Sequence, residues 1–195
     1  MAFLKPALVI SVSLLLPAAD TGPGATESLL PVGVQAPLLA KMLTYDRALP
    51  QRAGDTIHFA VVFQQDFPES RELALDLLRT FAHPAFANIG NLPVVFHKIM
   101  YEDSEQLRAE LREHGVHIIY LAPLRAADPA LLIRSARFAG AATVTPLRAY
   151  VREGAALGVI LREGRPHLLV NMKAARLQGM DLSAQLLKLA EIIES

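Results

Sequence analysis

Residues 56–63 read TIHFAVVF, with Ile57, Phe59, Val61 and Phe63 on one face and His58, Ala60 and Val62 on the other. A strand apolar on both faces must be covered on both, which places it inside a mostly parallel sheet with helices on either side. The next stretch changes period. Asp66, Pro68 and Glu69 open a helix that presents Leu73, Ala74, Leu77, Leu78 and Phe81 on one side and Glu72, Asp76 and Arg79 on the other. Strand then helix recurs as 92–100 followed by 103–114, closed by Gly115 where a left-handed turn is needed. It recurs again as 117–122 followed by 128–138, with Asp128 as cap and Pro129 in the first turn. Residues 142–145 add a short fourth strand, and 146–152 a helical turn or irregular link.

After residue 154 the grammar differs. Two apolar runs, 155–162 (AALGVILR) and 166–172 (PHLLVNM), are separated by Glu163, Gly164 and Arg165, which is hairpin spacing. The last stretch, 171–193, starts at Asn171, passes Gly179 and restarts at Asp181. It spaces Leu182, Leu186, Leu189 and Ile193 along one helical face, with Gln185, Lys188 and Glu191 opposite. The expected fold class is α/β: a three-layer sandwich, mostly parallel sheet with an antiparallel C-terminal edge hairpin and a closing amphipathic helix across one face. Near the start, Leu38, Leu39, Met42 and Leu43 predict a first helix over 34–47, stopped by Pro50.

Residues 1–19 combine Lys5, a short apolar run over 7–16 and the small or turn-forming Pro17, Ala18 and Ala19. This is the pattern of a cleaved secretory signal peptide, too short for a membrane anchor. The expectation is a periplasmic protein, with a flexible lead-in over 20–33 rich in Gly, Pro, Thr and Ser, then one domain over 34–195. The chain is 52% hydrophobic and 19% charged, with 19 basic and 19 acidic residues. A compact body follows, and nucleic acid as a partner has no electrostatic source. Cysteine is absent, which excludes disulfides and thiolate chemistry.

No motif assembles a catalytic centre. The loop after the first strand, FQQDFPES, lacks the glycine patterns that cradle phosphate, and no GxSxG elbow occurs. His58, His97, His117 and His167 fall on predicted strands, where hydrogen-bonded or edge-exposed rings are expected. His114 and His117 are close in sequence, but Gly115 and Val116 break the helix between them, so no metal and no cofactor is expected. Glu102, Asp103 and Glu105 are explained as a cap and first-turn charges. In an open α/β sheet a ligand crevice forms beyond the strand carboxyl ends. That places Gln64, Gln65, Tyr101, Glu102, Pro123, Arg125 and Thr145 around a candidate small polar crevice.

Several segments together carry a resemblance. Residues 141–193, with Val170, Asn171, Met172, Ala174, Ala175, Gly179, Met180, Leu182, Ser183, Leu186, Leu187, Leu189 and Ala190 matching, resemble the C-terminal half of the YfiR family of periplasmic proteins (DUF4154-like). The HIIYL of 117–121 is similar to that family's HILFI strand, and QAPLLAKMLTYDRALP of 35–50 to its opening helix. The resemblance implies a non-catalytic periplasmic regulator that binds the periplasmic part of an inner-membrane signalling protein such as a diguanylate cyclase, in cyclic-di-GMP signalling, often as a homodimer. The chain departs from the family in having no cysteines for redox control, and the glycine pair before the hairpin is reduced to Gly154 and Gly158. On this reading Leu38, Met42 and Tyr45 of the first helix are the candidate partner surface. The alternative is a periplasmic small-molecule-binding protein using Gln65, Tyr101, Glu102, Arg125 and Thr145.

Overall fold

The computed structural model describes residues 29–194. The signal-peptide segment over 1–19 and most of the lead-in lie outside the described residues. Eight strands form one sheet in the order β2-β3-β1-β4-β5-β6-β7-β8. They are β1 (Ile57–Phe63), β2 (Asn88–Ile89), β3 (Leu92–Met100), β4 (Ile118–Leu121), β5 (Ala142–Thr145), β6 (Leu157–Arg162), β7 (Arg165–Asn171) and β8 (Glu191–Ile193). The helices are α1 (Val32–Leu43), α2 (Leu49–Ala53), α3 (Pro68–Phe81), α4 (Ser104–Glu113), α5 (Pro129–Phe138), α6 (Arg148–Arg152), α7 (Met172–Leu177) and α8 (Ala184–Leu189). From β3 through β6 all pairings are parallel, whereas β2 with β3 and β6 with β7 are antiparallel.

The two faces of the sheet carry separate cores, as the pattern of β1 requires. Ile57, Phe59, Val61 and Phe63 join Leu39, Met42 and Leu43 of α1, Leu73, Leu77 and Phe81 of α3, and Leu186 of α8. Ala60 and Val62 join Leu107 and Leu111 of α4, Leu132 and Ala136 of α5, and Tyr150 of α6. The first core holds an aromatic stack, with Phe81 and Phe96 centroids 4.6 Å apart and Phe59 edge-on to Phe81 at 5.3 Å. The buried Phe59 and Phe81 rings each contribute roughly 1.5–3 kcal/mol by leaving water.

Local signals held at most boundaries. Asp103 Oδ1 accepts from the N–H groups of Glu105 and Gln106 at 2.7 and 2.9 Å, and Asp128 Oδ1 from Ala130 at 2.9 Å. The hairpin turns through two residues, Glu163 and Gly164, both at positive φ, the geometry whose twist suits paired strands. Gly158 is needed for a different reason. A Cβ there would lie 2.7 Å from Val151 Cγ2, so its absence lets α6 sit close on β6.

Three stretches depart from the sequence reading. Pro50 ends no long helix; it occupies the first turn of the short α2, where its missing N–H costs nothing. Leu30 is already buried and α1 begins at Val32, so the core starts before residue 34. The closing stretch is not one helix. Gly179, at φ 74°, ends α7, and α8 restarts with a six-residue helix that leaves Leu189 exposed. The chain then extends as β8, parallel to β7 and outside the hairpin. Glu191 holds β8 there, accepting two bonds from Arg148 of α6 at 2.7 and 2.8 Å and one from Arg162 of β6 at 2.8 Å.

Candidate functional site

From β1 the chain crosses to β3 on one side, and from β3 it crosses to β4 on the other side of β1. A crevice is therefore expected where the carboxyl ends of β1 and β4 diverge. Here several of the residues assigned to that crevice bond to one another and to their neighbours. Gln64 Oε1 accepts the Arg125 N–H at 2.5 Å, tying the end of β1 to the segment after β4, and the Gln64 N–H donates to Ser70 Oγ at 3.0 Å. The Gln65 carbonyl accepts from Arg71 at 3.0 Å, and the Arg125 guanidinium lies over the Phe67 ring at 4.6 Å. The Tyr101 N–H donates to the Phe63 carbonyl at 2.7 Å, and the exposed Glu102 donates its N–H to Gln106. Thr145 is fully buried, so it lines no open crevice. Its hydroxyl donates to the Leu121 carbonyl at 3.1 Å and accepts from the Leu147 N–H at 3.3 Å, stitching β4 to the loop after β5.

The α1 surface also differs from the sequence reading. Met42 is 1% exposed and belongs to the core, so it offers nothing to a partner. Helical spacing alone does not tell which edge of an apolar stripe is covered, and here α3 packs against α1. Leu38 and Tyr45 are half-buried, with Lys41 Nζ 5.2 Å from the Tyr45 ring centre.

At the opposite end of the strands four histidines come together from β1, β3 and the α4–β4 connection. His58 Nδ1 of β1 and His97 Nε2 of β3 are joined by a hydrogen bond at 2.9 Å. His114, at the end of α4, stacks on His97 with ring centres 4.6 Å apart, and His117, before β4, accepts the His58 backbone N–H at Nδ1 at 3.1 Å. Burial first, then the neighbouring His114 and His58, lowers the pKa of His97. Burial, His58 and Arg52 do the same to His117. Among the described residues no carboxylate forms an ion pair with any of the four, and no group of three or more metal-ligating side chains is placed to hold an ion. Alternation put His58 and His97 on sheet positions, but only the topology shows that they share a face.

Beside the histidines, α7 covers the amino ends of β5 and β6. Asn171 caps it, accepting from Ala174 at 2.9 Å while donating to the Val151 carbonyl at 2.9 Å. Gln178 fixes its far end. Its Oε1 accepts from the N–H and hydroxyl of Thr143 at 2.7 and 2.9 Å, and its Nε2 donates to the Gly154 carbonyl at 3.0 Å. Three concavities of about 220, 490 and 500 Å³ surround this helix, and Leu177 lines all of them.

Fold and site together define a doubly wound, three-layer α/β domain whose strand carboxyl ends are cross-linked by hydrogen bonds among their own residues. Within that class the chain belongs to the YfiR/HmsC-like family (DUF4154), whose pattern matches residues 34–191. No curated relative matches it. Among solved structures, it is similar to a conserved domain protein from Vibrio cholerae, with 15% identity, a TM-score of 0.57 and coverage of 85% of this chain and 60% of that one. It is also similar to an ABC domain from Streptococcus pneumonia in complex with L-Trp, at 12% identity and TM-score 0.52, covering 78% and 62%. A third is the ligand-free, open form of a substrate-binding protein with adhesive properties from Clostridium difficile, at 12% and 0.52, covering 76% and 58%. The chain thus spans about three fifths of the length of these structures, and the likeness is one of fold. Among the described residues no helix is long and apolar enough to cross a membrane.

Proposed function

We propose that this chain is an exported, non-catalytic regulatory protein that binds the periplasmic part of an inner-membrane signalling protein, such as a diguanylate cyclase, and restrains it. The observation that carries this reading is the family match over 34–191, which takes in nearly all of the described α/β body. The charged-poor, cysteine-free composition fits a domain that acts by contact rather than by redox chemistry. Leu38 and Tyr45 are candidate contacts on the α1 side, and a homodimer is compatible with the family.

The test is to remove the chain from its own cells and measure cyclic di-GMP, then restore it with and without residues 1–19. Loss should raise the nucleotide, and only the form carrying the leader should return it to its original level. An unchanged nucleotide level on removal, with the protein shown to be absent, sinks the cyclase reading.

The alternative is a small-molecule receptor. Its support is that two of the similar folds are described as ligand-bound or substrate-binding proteins. On that reading Gln65, Tyr101, Glu102 and Arg125 bound the ligand end of the sheet, with Thr145 behind them. A ligand that raises the thermal midpoint of the wild type should then fail to do so for Tyr101→Ala and Arg125→Ala. Undiminished stabilisation of both variants removes those residues.

A further inference from the structure

Leu177 is 56% exposed although it is the last residue of a helix pinned at both ends, and Ile192 of the edge strand is 42% exposed. The three concavities that meet around Leu177 draw on α5, the segments before β4, β5 and β6, α7 and β8. Their charged lining is one-sided. Arg52, Arg134, Arg137, Lys173 and Arg176 stand against Glu153 and Glu194, in a chain whose total charge is zero. Asp46 answers Arg52 at 2.6 Å. Among the described residues Arg134, Arg137 and Arg176 have no ion-pair partner. An exposed apolar centre ringed by unpaired arginines is the anatomy of a docking surface, with arginine and large apolar groups as anchors and a charged rim for steering.

We infer that the face formed by α5, α7 and β8 takes the protein partner, and that the partner presents an acidic segment bearing one or two large apolar side chains. The charge of the lining selects acidic over basic segments, because like charges brought together at an interface oppose binding. The concavities select a protein segment over a lipid surface, since each is a pocket for an inserted side chain and two carboxylates stand on their rims. Leu38 and Tyr45 line none of the three concavities. The inference rests on the partner reading above and adds to it the place and the chemistry of contact.

The experiment uses the full chain in its own cells, with photoreactive p-benzoylphenylalanine at position 177 or, separately, at position 38, followed by sequencing of crosslinked peptides. Position 177 should crosslink to an inner-membrane protein, in a segment with at least two Asp or Glu within about two helical turns of a large apolar residue. Combining Arg134→Glu, Arg137→Glu and Arg176→Glu should lower that yield at least about tenfold, as losing several steering and anchoring charges implies. If the triple variant melts early, single Arg137→Glu and Arg176→Glu variants replace it, each expected to lower the yield several-fold. Crosslinks from position 38 and none from 177 overturn this surface and leave the partner reading standing. No crosslink from either position overturns the surface, while the cyclic di-GMP measurement decides the partner reading independently. A crosslink into a second copy of the chain, into a segment without acidic residues, or one indifferent to arginine reversal also overturns it. So does sedimentation with phosphatidylglycerol vesicles that the triple variant loses, if no protein crosslink forms, because the face then belongs to lipid.

Discussion

The two ends of the sheet differ in a way that the fold class does not foretell. At the carboxyl ends of β1, β4 and β5, where open α/β sheets hold ligands, Gln64, Thr145 and Arg125 spend their polar groups on the protein itself. At the amino ends, a row of histidines and three concavities around Leu177 stay accessible. Strand direction decides where a crevice opens, but side chains decide whether it stays open. In this molecule the end richest in expected ligand residues is the stitched one.

The largest effect should come from the pin that holds the accessible end together. Gln178→Leu strands the Thr143 N–H, whose full burial makes the loss costly, together with the half-buried Gly154 carbonyl. A loss of about 3 kcal/mol in urea denaturation is expected, with faster amide exchange in α7 than in α4. Loss without that local exchange would mean that α7 is held by something else. At the carboxyl ends, Thr145→Val leaves the Leu121 carbonyl and Leu147 N–H without their hydroxyl and should cost about 2 kcal/mol. A near-zero cost would show that the switch point is not stitched there.

Glu191→Gln should cost roughly 1 kcal/mol, since its side chain is about a third exposed and solvent screens the arginines. Arg148, followed by Arg162, lowers the Glu191 pKa to about 2. Its contribution is therefore present above the ordinary value of 4.5 and is lost as pH falls toward 2, so the difference between wild type and variant should vanish at low pH. The histidine row acts in a separate window. His97 and His117 are depressed below 6.5 in the folded state, so the unfolded chain takes up protons first. Stability is full above about 6.5 and declines as pH falls from there through the depressed folded values. A thermal midpoint that falls from pH 7 to pH 5, with a shallower fall in His97→Asn, is the expected result; equal slopes would remove His97 as a contributor. The smallest effect belongs to Arg137→Ala, within about 0.5 kcal/mol, because among the described residues its side chain has no ion-pair partner.

Much of this architecture was legible in the residues. The two-faced pattern of β1 announced a covered sheet, and the Asp128 cap appeared where the sequence put it, while the structure picks Asp103 as the cap among Glu102, Asp103 and Glu105. The candidate site was far less legible. Periodicity marks Met42 and Leu38 as one stripe but does not say that the first is core and the second half-buried. It likewise treats Leu189 and Ile193 as helix neighbours, whereas the open edge of β7 captures the chain as β8 and buries Ile193.

By itself, the sequence determined the alternation of strands and helices, the presence of a hairpin after residue 154 and the apolar faces, because each depends on neighbours a few positions away. Only the tertiary structure decided that residues 58, 97, 114 and 117 meet, that Gln64 reaches Arg125, and that Leu177 stays exposed among arginines. Those outcomes depend on which elements become neighbours across the sheet and on which polar groups find each other first there. Local period carries no record of either.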